Sequence, residues 1–307
     1  MTSLANNSID AADTDRRPGV CLVLGGGGFK GMAHVGVFKV LEEEGIRVER
    51  IVGTSAGALM GSAYAHLGSA DEVQALVDRF VEAQDMERKG FLGFHAAEGS
   101  GGIASFMGRL VSGLKRQVAL ERMFRRSSAF GGTALRYIVR SFVPNVAIEE
   151  LTIPMAIAAL DVLRGEEVLL TEGPTPSAVC ASSAVPGFFP PVEREGRLLV
   201  DAGIVNNLPT QAARGLGAVR IVAVDLSAQL DACESEQVGM DVLLRAQDIS
   251  THLANRRWSD AADVVIYPKL SGRSWLDPGR PDEVIEAGIQ ATQAVLPEIR
   301  ALVGVGV

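Results

Sequence analysis

The sequence predicts an α/β protein: a mostly parallel sheet sandwiched by helices, carrying a helical insertion. Three observations point to this. Val20-Cys-Leu-Val-Leu24 is a short apolar run that breaks into Gly25-Gly-Gly-Gly28, and a helix pattern follows. Ile46 to Val52 reads as a second strand that ends at Gly53-Thr54-Ser55-Ala56-Gly57, where another helix pattern begins. After Pro144 strands and helices alternate again. Strands separated by helices pair in parallel, because a helical crossover returns the chain to the same end of the sheet.

Each element has its own signal. In the first helix Val35, Phe38, Val40 and Leu41 are apolar, and Glu42 to Glu44 lead to a stop at Gly45. The second helix runs from Ala56 to about Leu67. Ile153 to Leu160 and Glu167 to Thr171 read as strands, and Pro176 to Ala184 as a helix stopped by Pro186. Arg197 to Val200 is a short strand ending at Asp201-Ala202-Gly203. Leu208 to Leu216 reads as a helix, Val219 to Asp225 as a strand and Met240 to Trp258 as a long helix. Asp263 to Tyr267 is the last strand and Pro281 to Leu302 the last helix. With no internal repeat and no linker, residues 20–307 read as one domain. Residues 1–19 are polar, lack the apolar stretch of a signal peptide, and read as a disordered leader.

The insertion covers about residues 86–145. From Met86 to Phe142 there are ten Lys or Arg against three Glu, in a chain whose net charge is −8. Ile103, Phe106, Met107, Leu110, Val111, Leu114 and Val118 repeat at helical spacing, while Arg109, Lys115, Arg116 and Arg122 lie off that stripe. This reads first as an amphipathic helix packing on the core; the functional reading, compatible with it, is a lid or a surface meeting anionic lipid.

Composition excludes several function classes. With 307 residues, 47% hydrophobic and 21% charged, the chain can bury a large core, so disorder and disulfide-stapled scaffolds are excluded. The net negative charge argues against nucleic acid as a partner. Cys21, Cys180 and Cys233 are an odd number without CxxC, read as reduced thiols of a cytoplasmic protein. His34, His66, His95 and His252 show no HExxH spacing, so no metal and no cofactor are expected. Two stretches of 20 residues, Ile51–Ala70 and Gly173–Val192, lack charge. The first is rich in Gly, Ser and Ala and the second holds five prolines, so neither is read as a membrane span.

Two glycine motifs carry the chemistry. Gly53-Thr54-Ser55-Ala56-Gly57 fits G-x-S-x-G between a strand and a helix. A nucleophilic Ser needs that sharp turn, and flanking glycines let neighbouring chain come close. Gly26-x-Gly28-x-x-Gly31 has two readings. As a dinucleotide fingerprint it wants an acid at the end of the next strand, where Val52-Gly53-Thr54 offers none. As an oxyanion hole it offers backbone N–H groups beside Ser55, which a hydrolase needs. The base is open between two residues. Ser55, Asp201 and His252 stand in hydrolase order, but His252 lies in the helix pattern of Val242, Leu243, Ala246, Ile249 and Leu253. Asp201 ends a strand ahead of two small residues, so a Ser–Asp dyad is the economical reading. Free Asp, with pKa about 3.9, is a poor base at neutral pH. Burial and a bond to Ser55 must compensate.

These residues resemble the patatin-like phospholipase family. Gly25 to Gly31 (GGGGFKG) looks like its oxyanion loop, and Gly53 to Gly57 (GTSAG) like its nucleophile elbow. Ala181 to Val192 (ASSAVPGFFPPV) and Leu198 to Pro209 (LLVDAGIVNNLP) look like the remaining blocks. The resemblance spans roughly Val20 to Pro209 and implies a three-layer α/β/α fold that hydrolyses lipid esters. It makes Ser55 the nucleophile, Asp201 the base, and the amides of Gly26, Gly27 and Gly28 the oxyanion donors. Lys30 takes the family's basic position, with Gly31, Gly53, Gly57 and Gly203 in support. The implied partner is a lipid or fatty-acyl ester, with the enzyme cytoplasmic or peripheral to an anionic membrane through segment 86–142. One motif departs: the family's usual D-G-G or D-G-A is Asp201-Ala202-Gly203 here. If position 202 needs positive φ, the Ala is strained by about 1 kcal/mol. Phe188, Phe189, Pro190 and Pro191 read either as an acyl pocket or as core. Two rival functions are a nucleotide-binding protein using the glycine loop and a non-catalytic scaffold of the same fold.

Overall fold

The computed structural model of the chain describes residues 18–88, 128, 131–227, 239–270 and 280–304. The leader expected over residues 1–19 and the helical stripe of residues 103–118 lie almost wholly outside these residues.

Among the described residues eight strands form one sheet. They are β1 (Val20–Leu24), β2 (Val48–Thr54), β3 (Met155–Asp161), β4 (Glu166–Leu170), β5 (Val192–Arg194), β6 (Arg197–Asp201), β7 (Ile221–Val224) and β8 (Val264–Ile266). β3, β2, β1, β7 and β8 pair in that order, all parallel. β4 and β6 run antiparallel to β3, and β5 antiparallel to β6.

The register on β3 is what positions the site. Ala158 pairs with Thr54 of β2 on one side and Leu169 of β4 on the other. Ala159 pairs with Asp201 of β6 and Val168 of β4. A strand has only two edges, and β4 occupies one from Ile157 to Asp161. So β2 and β6 lie end to end along the other edge, running in opposite senses, and their last residues meet.

Nine helices are described: α1 (Ala33–Glu43), α2 (Ala56–Leu67), α3 (Ala70–Arg88), α4 (Gly132–Phe142), α5 (Thr175–Ser182), α6 (Thr210–Gly215), α7 (Gly239–Trp258), α8 (Pro281–Ala294) and α9 (Leu296–Leu302). Alternate residues of β1 enter two separate cores, as the two-residue strand period requires. Val20, Leu22 and Leu24 join the larger one, with α1 to α5, α8 and α9. Cys21 and Val23 join the smaller one, with Leu208, Ala213 of α6 and Trp258. The sheet is thus covered on both faces, as expected. Fully buried Leu22, Leu24, Phe38 and Ile51 are each worth about 1.5–3 kcal/mol over exposure. An exposed ion pair such as Arg280–Glu283 is worth about 0–1 kcal/mol, so the cores dominate. α1 and α8 touch backbone to backbone. A side chain at Gly36 would run into the Ile285 carbonyl, and one at Gly288 into that of Ala33.

The sequence reading and the structure differ in three places. The last helix is two helices: α8 ends before Val295 and α9 begins at Leu296. Pro297 has no N–H to continue the helix, and its ring would meet the carbonyl four residues back. α3 was hidden by its charge, yet Val73, Val77 and Phe80 form a buried stripe. β5, three residues long, is too short for periodicity to reveal.

Candidate active site

β2 delivers Ser55 at its carboxyl end. Ser55 has φ 53 and ψ −118, and Glu195 is the other non-glycine residue with positive φ among those described. Such a backbone costs on the order of 1–3 kcal/mol and persists only where the surroundings enforce it. Here they do. The Ser55 N–H donates to Ser182 Oγ at 2.8 Å. A side chain at Gly57 would collide with the Leu24 carbonyl, and one at Gly53 would lie 2.8 Å from the Ala58 nitrogen. Both glycines of the motif are required by close approach.

β6 delivers Asp201 from the opposite direction. Its N–H donates to the Ala184 carbonyl at 3.1 Å, and its Oδ1 accepts from the Gly203 N–H at 2.8 Å. The side chain is 4% exposed. Burial pushes its pKa up to about 6, and hydrogen bonds from the Ser55 hydroxyl and the Gly203 amide pull against that rise. The structure therefore brings Ser55 and Asp201 together. Ala202 is fully buried in a short 3₁₀ turn and is not at positive φ, so the strain considered for an Ala there is absent.

The glycine loop lies beside Ser55: a Cβ on Gly26 would stand 3.0 Å from that of Ser55. Three groups hold the loop. The Gly25 N–H donates to the Val224 carbonyl at 3.0 Å. His34 Nε2 bonds the Gly25 carbonyl at 2.9 Å; burial depresses the His34 pKa to about 4, so the ring is neutral and Nε2–H is the donor. The Asn207 amide grips Gly26 twice, accepting its N–H at 3.0 Å and donating to its carbonyl at 3.1 Å. Of the three expected oxyanion donors, the Gly26 N–H is thus engaged by Asn207. The N–H groups of Gly27 and Gly28 open a 3₁₀ turn and have no partner among the described residues. Gly28 has φ 57, a conformation that favours glycine. Lys30 follows in that turn, and a Cβ on Gly31 would press on Ala56 Cβ at 2.6 Å.

His252 is placed on α7, half-buried, and its ring makes no hydrogen bond or ion pair to a described residue. Phe188 is buried and Phe189 packs against the larger core. The sequence reading had not singled out Asn207, Ser182 or His34 as parts of the site. Asn207 and Ser182 were inside quoted motif blocks, but only the folded chain shows what they touch. Among the described residues there is no cluster of three His, Cys, Asp or Glu that would hold a metal ion. No described helix is long and apolar enough to cross a membrane.

Sheet order, the G-x-S-x-G turn after β2 and the glycine loop after β1 define a three-layer α/β/α domain. Its polar cluster sits where the parallel strands end. The patatin-like phospholipase family model matches residues 22–214, and the chain belongs to that family. It is 27% identical to an uncharacterized NTE family protein of Mycobacterium tuberculosis over 301 residues, covering 90% of this chain and 46% of that protein. It is 29% identical over 305 residues to patatin-like phospholipase domain-containing protein 7 of Mus musculus, covering 90% of this chain and 20% of the mouse protein. The chain thus spans less than half the length of these relatives. Among solved structures it is similar to VipD from Legionella pneumophila, at 17% identity and TM-score 0.47, covering 91% of this chain and 67% of VipD.

Proposed function

We propose that the chain is a serine lipid acyl hydrolase working through a Ser55–Asp201 dyad. The observation that carries this is the meeting of β2 and β6 on β3. It sets a strained Ser against a buried carboxylate, beside two backbone N–H groups that have no partner among the described residues. Asp201 accepts the Ser55 proton as Oγ attacks the ester carbonyl. A carboxylate raised to about pKa 6 is a better base than free Asp, and still ionised at neutral pH. The Gly27 and Gly28 amides receive the oxyanion, the alcohol leaves with the proton, and the acyl group stays on Ser55. Water, deprotonated by Asp201, then releases the fatty acid. No residue in this scheme calls for a metal or cofactor. Lys30 adds positive charge near the loop, and the basic segment remains a proposed contact with anionic membrane.

The test is fluorophosphonate labelling together with hydrolysis of a short p-nitrophenyl ester. Ser55→Ala should abolish both, Asp201→Asn should collapse both, and His252→Ala should leave both near wild type. Loss in His252→Ala would mean a triad. A folded wild-type chain inert to both reagents, with and without liposomes, would favour the scaffold reading.

A further inference from the structure

α7 is built inside out. At 3.6 residues per turn, Gln247, Thr251 and Asn255 share one side of the helix, and Val242, Ile249 and Leu253 share the side about 180° away. The polar side faces the protein. Gln247 Nε2 donates to the Ile204 carbonyl at 3.2 Å, and Thr251 Oγ1 to the Gly203 carbonyl at 3.4 Å. Asn255 is fully buried and its Nδ2 donates to Asp225 Oδ1 at 2.8 Å. The apolar side faces outward: Val242 is 53% exposed, Ile249 39% and Leu253 56%. Val242, Ile249 and Leu253 of the helix pattern read in the sequence are therefore turned to solvent. A row of exposed aliphatic side chains along one helix is the mark of an interaction surface.

The surroundings say what covers it. Arg256 and Arg257 are exposed and Arg245 is half-buried; they flank the stripe on both sides. Asp241 and Asp248 are the acids on this helix, against Arg245, Arg256 and Arg257, and Asp248 lies in the field of Lys30 and Arg245. Aliphatic residues between arginines are the pattern of a helix lying in a lipid interface. Two-fold pairing with a second copy would bring the same arginines together, which like-charge repulsion disfavours. The surface is also continuous with the candidate active site. α7 bonds the carbonyls of Gly203 and Ile204, just after Asp201, and its Asp248 senses Lys30 of the glycine loop. Val205, next in the chain, is 46% exposed.

We infer that the outer face of α7, through Val242, Ile249, Leu253 and their flanking arginines, docks the protein on an anionic lipid surface. Docking there sets the Asp201 turn and the glycine loop against the membrane. Their use on lipid rests on the proposed hydrolase reading, whereas adsorption does not. The chain's net charge of −8 repels it from anionic surfaces in other orientations, so the arginine-flanked face also selects the pose.

The experiment is co-sedimentation of the Ser55→Ala protein, which cannot digest the vesicles, with phosphatidylcholine vesicles with or without phosphatidylglycerol. Binding is expected to the phosphatidylglycerol vesicles and to weaken with salt. Ile249→Glu with Leu253→Glu should lower affinity at least about tenfold, since two aliphatic side chains leave the interface. Arg256→Gln with Arg257→Gln should cost several-fold and flatten the salt dependence. In a Ser55-intact chain both pairs should leave soluble-ester hydrolysis and thermal melting unchanged. Three results overturn the inference: no binding by the parent, equal binding by the glutamate pair, or a solution dimer that the glutamate pair splits while vesicle binding is absent. If vesicle binding follows these variants but neither ester nor probe reacts, the hydrolase reading fails and the docking surface stands.

Discussion

Thr54 and Asp201 pair with consecutive residues of one strand, Ala158 and Ala159 of β3. One arrives at the end of a parallel strand and the other at the end of an antiparallel strand. The residue after Thr54 is Ser55, so the main-chain ladder itself sets the serine against the carboxylate. Both partners ride on regular structure, which holds geometry more tightly than loops do.

The raised pKa of Asp201 makes two linked predictions. Ester hydrolysis should fall as pH drops through about 6, because the proposed base becomes protonated. For stability the sign is opposite. The native carboxyl holds its proton more tightly than the unfolded one, so stability declines as pH rises from about 4 to about 6. Above that, the buried charge is a standing cost. Asp201→Asn removes the charge and keeps an acceptor for the Gly203 N–H. It should stabilise the protein at pH 8 by on the order of 2 kcal/mol and give no gain below about pH 4. Denaturant titrations at the two pH values check this. A less stable variant at pH 8 would contradict it.

Asn207 fastens the glycine loop to the segment that follows Asp201. Asn207→Ala removes two hydrogen bonds to Gly26, each worth about 0.5–1.5 kcal/mol. With the loop loosened beside Ser55, kcat for a soluble ester should fall at least about tenfold, short of the 10²–10³ typical for a lost oxyanion donor. KM should change little. Steady-state kinetics and the rate of probe labelling separate these effects. Unchanged kcat would show that the loop holds its shape without Asn207.

Ala202 sits where an Ala is comfortable. Ala202→Gly should therefore leave activity within about twofold and cost about 0.5–1 kcal/mol of stability through the freedom of the unfolded chain. A gain in kcat would revive the idea that the position needs glycine.

Two glycines of the site should respond differently to Ala. At Gly57 the new methyl meets the Leu24 carbonyl of the central strand, so Gly57→Ala should yield little folded protein. At Gly28 the obstacle is φ 57, worth about 1–2 kcal/mol, so Gly28→Ala should fold with a lower melting temperature and reduced turnover. Expression yield, circular dichroism and ester hydrolysis distinguish the two.

Most of the fold is legible in the sequence because its signals are local. β1 begins and ends where its apolar run does, α2 spans Ala56 to Leu67 as read, and both glycine motifs stand between a strand and a helix. Ser55 and Asp201 could be singled out because a G-x-S-x-G turn and an acid at a strand end are visible in the chain itself. What only the tertiary structure decided are relations between distant segments. That Asn207 occupies the Gly26 N–H across 181 positions depends on how two loops dock, as does the Ser182 hydroxyl under Ser55. α7 makes the same point from the other side. Its period told of an apolar face, but a period does not say whether that face meets a core or the outside. That was settled when Gln247, Thr251 and Asn255 found backbone and carboxylate partners and turned the aliphatic side away. Spacing along a chain fixes which side chains share a face; the direction of that face is set by what the rest of the fold offers it.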